Sequence, residues 1–196
     1  MDRINPRKFK RVRHHDIPNH AHELTFSTYQ RRPVLLLPGI PQIVLAAIGR
    51  CRERDMARLI AFVVMPEHIH ILLAPIPDED GNPTAISDLL RAIKRPSSFR
   101  IKQHLTRTKP SLVDHLTIRE RPGKATFRFW QQGGGYDRNL TNPEAIRSSI
   151  AYIHRNPVRR GLCNAVHEWE WSSHAQWQPE KSPMPDWMPS IDRCGY

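Results

Sequence analysis

The chain has 196 residues, of which 30 are Lys or Arg and 19 are Asp or Glu, so its formal net charge is +11. This length allows a single domain whose buried core does not depend on disulfides. The charge favours a polyanionic partner, most simply nucleic acid, although an ordinary basic protein stays open at this stage. No apolar run approaches the roughly 20 residues of a membrane span, and the three cysteines include no CxxC pair. We therefore expect a cytoplasmic protein without a membrane anchor.

The predicted elements begin after a basic, His-rich arm at residues 1–22. Apolar residues at alternate positions predict a short strand over 23–29. An apolar pattern with prolines near its start then predicts a helix over 41–54. The β-branched runs 59–65 and 68–73 are separated by only two residues, so they predict a β-hairpin.

A second helix is predicted over 84–95 from its apolar spacing, and it can resume after Pro96. A loop follows this helix. The aromatic residues Phe127, Phe129 and Trp130 then predict the fourth strand of the sheet.

The start of a third helix is marked by residues that suit a helix N-terminus. Asn142 can cap it, Pro143 fits its first position, and Glu144 suits the positive end of the helix dipole. Pro157 limits its continuation and Gly161 offers a stop. The apolar residues of this helix recur at helical spacing: Ile146, Ile150 and Ile153.

This order of elements predicts an α+β fold of the ferredoxin-like or split βαβ type. We expect an antiparallel sheet with helices packed on one face and the last helix added to it. The catalytic domain would span residues 23–177, between the N-terminal arm at 1–22 and a Pro-rich tail at 178–196.

The strongest local signal is a His-x-His pair, His68 and His70, on the second strand of the predicted hairpin. Residues two apart on a strand point to the same face, so the two imidazoles project together from Cα atoms about 7 Å apart. At that spacing they can bind one divalent ion. From this pattern alone, two surface histidines or a zinc-dependent hydrolase remain alternatives. Glu67 would point away from both histidines as a strand residue.

The second signal is Tyr152, which lies on the third helix. Asn156 is four residues further on and shares its helix face. The isoleucine stripe is turned away from that face, so Tyr152 is not simply another core position. A boundary tyrosine with a packed ring and a surface hydroxyl remains the alternative.

Taken together, these residues resemble the REP-associated tyrosine transposases, a branch of the single-tyrosine HUH transposases. The segment Met-Pro-Glu-His-Ile-His at 65–70 is similar to the HUH motif. Tyr152, in Tyr-Ile-His-Arg-Asn-Pro-Val-Arg-Arg-Gly-Leu, aligns with the catalytic tyrosine. The resemblance runs from about 22 to 177. Three further segments are similar to the family's pattern: 129–131, 136–138 and 171–173.

The resemblance implies metal-dependent cleavage and strand transfer of single-stranded DNA. Tyr152 would attack the scissile phosphate and form a 5′-phosphotyrosine intermediate. His68 and His70 would bind Mg²⁺ or Mn²⁺, which stabilises charge on the phosphate. Asn156 is the candidate third metal ligand, because its carbonyl oxygen can coordinate and it shares the face of Tyr152.

The expected partner is a single-stranded DNA hairpin of a palindromic repeat, bound in the nucleoid by a monomer or a dimer. A domesticated protein that binds such hairpins without transposing them is the alternative function. Basic residues predicted to contact DNA lie on the second helix, where a solvated face is the alternative, and beside the tyrosine. They are Arg91, Lys94, Arg95, Arg100, Lys102, Arg155, Arg159 and Arg160.

Overall fold

The computed structural model describes residues 17, 20–178 and 183–193. Within them, no helix has both the length and the apolar character needed to cross a membrane. The elements follow one another as β1 (Ala21–Ser27), α1 (Ile40–Glu53), β2 (Ala57–Val64), β3 (His68–Pro75), α2 (Ile86–Thr108), α3 (Pro110–His115), β4 (Thr117–Arg121), β5 (Lys124–Phe127), β6 (Tyr136–Leu140) and α4 (Pro143–Arg159).

Four strands form one sheet in the order β2-β3-β1-β6, and every neighbouring pair is antiparallel. Helix α1 connects β1 to β2, and α2 lies in the connection from β3 to β6. This is the split βαβ arrangement, so the predicted ferredoxin-like α+β fold is confirmed. Strands β4 and β5 form a separate two-stranded ribbon in the region predicted only as a loop.

The two faces of the sheet are covered by different helices. Residues at alternate positions, such as Phe26 on β1 and Ile71 on β3, join the main core with α1 and α2. Helix α4 covers the opposite face, where Ile150 and Ile153 pack in one cluster with Leu72 of β3. Trp169 and Trp177, from the segment after α4, pack against the same cluster. Beside its apolar stripe, α4 also places polar residues towards the sheet, such as Ser149, whose hydroxyl donates to Glu23 of β1.

The fourth strand of the sheet is Tyr136–Leu140, so its prediction from the aromatic segment was wrong. Its sequence is mostly polar, and it is held as a strand by pairing with β1. Trp130 is buried instead and forms an isolated bridge with Thr28. Gly135 precedes the strand with φ +78°, and a Cβ there would lie 2.1 Å from the Thr25 carbonyl oxygen, so only glycine fits.

Helix α2 runs without interruption through Pro96, where a break was expected. Proline removes one backbone donor, and that loss is confined to a single turn. Ser97 donates from its hydroxyl to the Ile93 carbonyl at 2.6 Å and accepts from the Trp130 indole at 3.1 Å. These bonds tie the turn after Pro96 to the core. Helix α4 likewise continues past Pro157 to Arg159.

The start of α4 follows the prediction. The Asn142 side chain accepts a hydrogen bond from the Ala145 backbone at 2.8 Å, and Pro143 is the first helical residue. The helix ends at Arg159, and Gly161 follows with φ +67°. The cap and the left-handed glycine therefore fix both ends of the helix that carries Tyr152.

The outer edge of β2 is covered by the chain that follows α4. The Val64 amide donates to the Trp171 carbonyl at 2.8 Å, and the Ser173 amide donates to the Phe62 carbonyl at 3.0 Å. The indoles of two further tryptophans donate to edge carbonyls, Trp169 to Val64 and Trp177 to Ile60. These bonds satisfy backbone groups that an uncovered edge strand would expose.

Part of the segment expected as a tail also packs on this edge. The Asp192 carboxylate accepts from the Leu59 amide at 2.9 Å and from the Arg52 guanidinium at 3.0 Å. The ring of Trp187 lies 5.1 Å from that of Trp171. Residues 183–193 are therefore in contact with α1 and β2.

Replacing Ser173 with Ala is expected to lower the free energy of unfolding by about 2 kcal/mol. The Ser173 hydroxyl accepts from the Phe62 amide at 2.9 Å and pairs with Nε2 of buried His154 at 2.9 Å, so the variant leaves both groups unsatisfied. A urea titration followed by circular dichroism measures the change. Ser190→Ala, at an exposed serine, is the control. Equal stabilities of the two variants would contradict this role.

Candidate active site

His68 and His70 lie side by side on the face of β3 that looks towards α4. Their neighbours Ile69 and Ile71 belong to the core on the opposite face. Both imidazoles are buried, and their Nε2 atoms are 3.0 Å apart. The strand alternation therefore brings the two nitrogens together, as the spacing predicted.

The other nitrogen of each ring is held by a polar side chain. Nδ1 of His68 donates to Oε1 of Glu67 at 3.0 Å, and Nδ1 of His70 is 2.7 Å from the Thr25 hydroxyl. A proton held on Nδ1 leaves a lone pair on Nε2, and this is the usual arrangement around metal-binding histidines. Thr25 is opposite His70 in the strand register, so the β1–β3 pairing supplies this partner.

Both imidazoles are neutral at physiological pH. Burial, together with the neighbouring His68 and Arg31, lowers the pKa of His70 to about 3. Burial also lowers the pKa of His68, against the opposing effect of Glu67. Neutral imidazoles can donate their Nε2 lone pairs to a cation.

The geometry of the pair fits a divalent cation. Two nitrogens bound at right angles at about 2.1 Å from one ion lie about 3.0 Å apart, which is the separation of the two Nε2 atoms. Among the described residues there is no group of three or more His, Cys, Asp or Glu that could hold a metal. Two neutral protein ligands would leave positions for water and phosphate oxygens, which Mg²⁺ and Mn²⁺ favour.

Tyr152 lies beside this pair on α4. Its ring centroid is 5.6 Å from that of His70, in an edge-to-face arrangement. The side chain is 38% exposed, so it is not part of the core. The Arg159 guanidinium lies 5.0 Å from the centre of the tyrosine ring. A phenol at the edge of the histidine pair, with a cation over its ring, can meet an anionic substrate from solvent.

Asn156 is buried on α4, one turn after Tyr152. Its amide nitrogen donates to the Tyr152 carbonyl at 3.0 Å. In the part of the chain that the structure describes, no hydrogen bond joins Asn156 to His68 or His70. Its role as a third metal ligand therefore stays a proposal.

Glu67 was expected to point away from both histidines, and for His68 this prediction was wrong: Glu67 precedes β3, and its Oε1 accepts from Nδ1 of His68 at 3.0 Å. Besides His68, its Oε1 accepts from Arg31 at 3.1 Å and from Arg160 at 2.8 Å. Burial raises the pKa of Glu67, but the hydrogen bond from Arg160, the charge of Arg160 and the hydrogen bond from His68 together outweigh it and lower that pKa. Thr28 binds the Glu67 carbonyl through its amide and its hydroxyl. The carboxylate thus links β3 to the residue after α4, and it faces Nδ1 of His68 rather than the Nε2 pair.

Replacing Glu67 with Ala is expected to raise the Mn²⁺ concentration needed for half-maximal DNA cleavage about 10- to 100-fold. The His68 ring would lose the acceptor that orients it. Glu67→Gln keeps an acceptor for that N–H and should recover part of the loss. Cleavage assays across a metal titration measure the effect. Identical metal requirements in all three proteins would show that Glu67 does not position His68.

The basic residues predicted on α2 fall into two groups. Arg95, Arg100 and Lys102 are exposed. Arg91 is also exposed but pairs with Asp88. Lys94 is engaged within the protein. It donates to the Gly133 carbonyl at 2.8 Å, its Nζ lies 5.1 Å from the Phe26 ring centroid, and burial lowers its pKa to about 8.

The three arginines predicted beside Tyr152 also differ in whether their guanidinium groups are paired with an acidic side chain. Arg155 is exposed, and Arg159 lies over the tyrosine ring. Arg160 is paired with Glu67. Arg155 and Arg159 are therefore the two whose guanidinium groups can approach a substrate without leaving an acidic partner.

The sequence model of the IS200-like transposase family matches residues 17–117, about half of the chain. The chain belongs to this family of transposases. The matched span includes His68 and His70 and ends before the helix of Tyr152.

Two solved structures are similar to the chain. The structure of the REP-associated tyrosine transposase bound to a REP hairpin has a TM-score of 0.64 at 19% identity, over 95% of this chain and 99% of that one. A crystal structure of a suspected transposase from Deinococcus radiodurans has a TM-score of 0.41 at 23% identity, over 76% and 97% of the two chains. None of the curated proteins matches the sequence. The first structure confirms the fold expected from the family resemblance.

Proposed function

We propose that the protein cleaves and rejoins single-stranded DNA, with Tyr152 as the nucleophile and His68 and His70 as ligands of Mg²⁺ or Mn²⁺. The observation that carries this proposal is the convergence of the two Nε2 atoms, 3.0 Å apart, beside the ring of Tyr152. Membership of the IS200-like transposase family supports the same class of chemistry.

In this reaction the Tyr152 oxygen forms a bond to phosphorus, and the bond from phosphorus to the 3′-oxygen of the preceding nucleotide breaks. The phenol proton ends on that oxygen as a free 3′-hydroxyl. The DNA end remains on the enzyme as a 5′-phosphotyrosine, and a second 3′-hydroxyl can reverse the step. A bound divalent ion would stabilise the charge on the non-bridging oxygens. Arg159, at 5.0 Å from the tyrosine ring, would hold the phosphate near the nucleophile.

A DNA hairpin is the proposed substrate. The relative with the same fold is described as bound to a REP hairpin. The exposed basic residues of α2, together with the net charge of +11, suit a phosphate backbone. Asn156 is retained in the proposal as the third ligand, because it is buried on the same helix as Tyr152.

Incubation with labelled single-stranded hairpins and Mg²⁺ or Mn²⁺ tests this function. The expected product is a covalent protein–DNA adduct that survives denaturing electrophoresis and depends on the metal. Hairpins should be drawn from inverted repeats near the gene. If no hairpin yields an adduct or a cut with either metal, the proposed activity is wrong.

A further inference from the structure

A groove of about 520 Å³ opens beside the candidate nucleophile, between α4 and the strands β1 and β6. Its volume is that of a small-molecule site. His70 and Tyr152 line one part of it. Its other lining residues include Glu23, Tyr136, Arg138 and Ser149. A group bound in this groove would lie directly against the site of phosphate attack.

Glu23 places a buried carboxyl group in the same groove as Tyr152. It is only 6% exposed, and its Oε2 accepts a hydrogen bond from the Ser149 hydroxyl at 3.0 Å. No ion pair between Glu23 and a basic residue occurs in the described part of the chain. Ser149 binds only Oε2, so the second carboxyl oxygen of Glu23 can accept a further hydrogen bond.

This chemistry disfavours a phosphate in the groove and favours a base. The Glu23 carboxylate would repel an anion, whereas it would accept a hydrogen bond from an exocyclic amine. Tyr136 is 53% exposed, so its ring is available to stack on a base. Arg138 is exposed opposite Glu23 in the strand register and can contact the phosphate that follows the base.

We infer that this groove binds the base next to the scissile phosphate, with Glu23 selecting a base that carries an exocyclic amine and Tyr136 stacking on it. The inference rests on the proposed function for the position of the cut. Cytosine and thymine are the best pair for comparing a base that has an exocyclic amine with one that lacks it. They are pyrimidines of similar size, and only cytosine presents an amine where thymine presents a carbonyl oxygen.

Equilibrium binding of labelled oligo(dC) and oligo(dT), each about 12 nucleotides long, tests the inference. The measurement is made by fluorescence anisotropy with the full chain in EDTA, so that cleavage does not enter it. The wild-type protein should bind oligo(dC) about tenfold more tightly than oligo(dT), since the two strands differ in amines and not in phosphates.

Glu23→Met removes the carboxylate at similar size and should bring the two affinities within about twofold of each other. Glu53→Met, at an exposed carboxylate at the end of α1, is the matched control and should retain the tenfold preference. Tyr136→Leu should weaken the binding of oligo(dC) and of oligo(dT) about equally, since stacking does not depend on the identity of the base. Thermal unfolding of each variant shows that it is folded.

Equal affinities of the wild-type protein for the two strands would overturn the inference without any variant. A preference that persists in Glu23→Met would overturn it as well. Both results are independent of strand cleavage. Absence of a covalent adduct would refute the proposed function, whereas absence of an oligo(dC) preference in the wild-type protein would refute only the proposed role of Glu23 in the groove.

Discussion

Replacing Tyr152 with Phe is expected to abolish the covalent protein–DNA adduct and to lower cleavage at least about a thousandfold. The variant loses only the hydroxyl oxygen that would form the bond to phosphorus. Its ring can keep the edge contact with His70 and the contact with the Arg159 guanidinium. DNA affinity should therefore change less than about threefold, which a gel-shift or anisotropy assay measures.

Tyr29→Phe is a suitable control for this substitution. The Tyr29 hydroxyl accepts a hydrogen bond from the neighbouring Gln30 side chain and lies outside the groove beside α4. This variant should form the adduct at the wild-type rate. Cleavage at an undiminished rate by Tyr152→Phe would instead assign the chemistry to another nucleophile, such as a water molecule in a metal-dependent hydrolase. Hairpin binding by the wild-type protein without any cleavage would favour a domesticated binding protein.

Replacing either histidine of the pair with Ala is expected to lower cleavage at least about 100-fold. Each substitution removes one of the two nitrogens that converge at 3.0 Å and leaves a single imidazole for the cation. The loss should be smaller at high metal concentration, because weaker binding can be offset by mass action. A metal titration of adduct formation measures this, and Mn²⁺ binding followed by electron paramagnetic resonance provides a readout without DNA.

His167→Ala is the control, since His167 is exposed on the turn after α4. It should bind Mn²⁺ and cleave DNA like the wild-type protein. Wild-type Mn²⁺ affinity in both His68→Ala and His70→Ala would place the metal elsewhere. In that case the convergence of the two rings would have a structural purpose only.

The sequence predicted those parts of the site that depend on local rules. The two-residue period of a strand is sufficient to put His68 and His70 on one face. The Asn142 cap and the isoleucine spacing are sufficient to define α4 and to turn Tyr152 away from the stripe. The order of the elements gave the ferredoxin-like sheet, because few topologies suit that order.

The sequence could not predict the parts that depend on distant segments. Arg31 and Arg160 meet at Glu67 from far apart in the chain, and no local pattern marks them as partners. Strand β6 has a polar sequence and is a strand because β1 pairs with it. Lys94 lies in a basic series, yet the ring of Phe26 and the Gly133 carbonyl hold its ammonium group. Tertiary contacts decided each of these cases.

The covered edge of β2 has a consequence for any shortened form of the protein. A chain cut after Trp177 would retain all the proposed catalytic side chains. It would lose the hydrogen bond that the Leu59 amide donates to the Asp192 carboxylate. A chain cut directly after α4 would expose the edge of β2 as far as Val64. The backbone amides that now donate to Trp171 and Ser173 would lose these acceptors. An exposed strand edge of this kind is a template for pairing with the same strand of another copy. Either truncation would thus favour self-association through β2, so the segment after α4 protects this edge strand from pairing with a second copy of the chain.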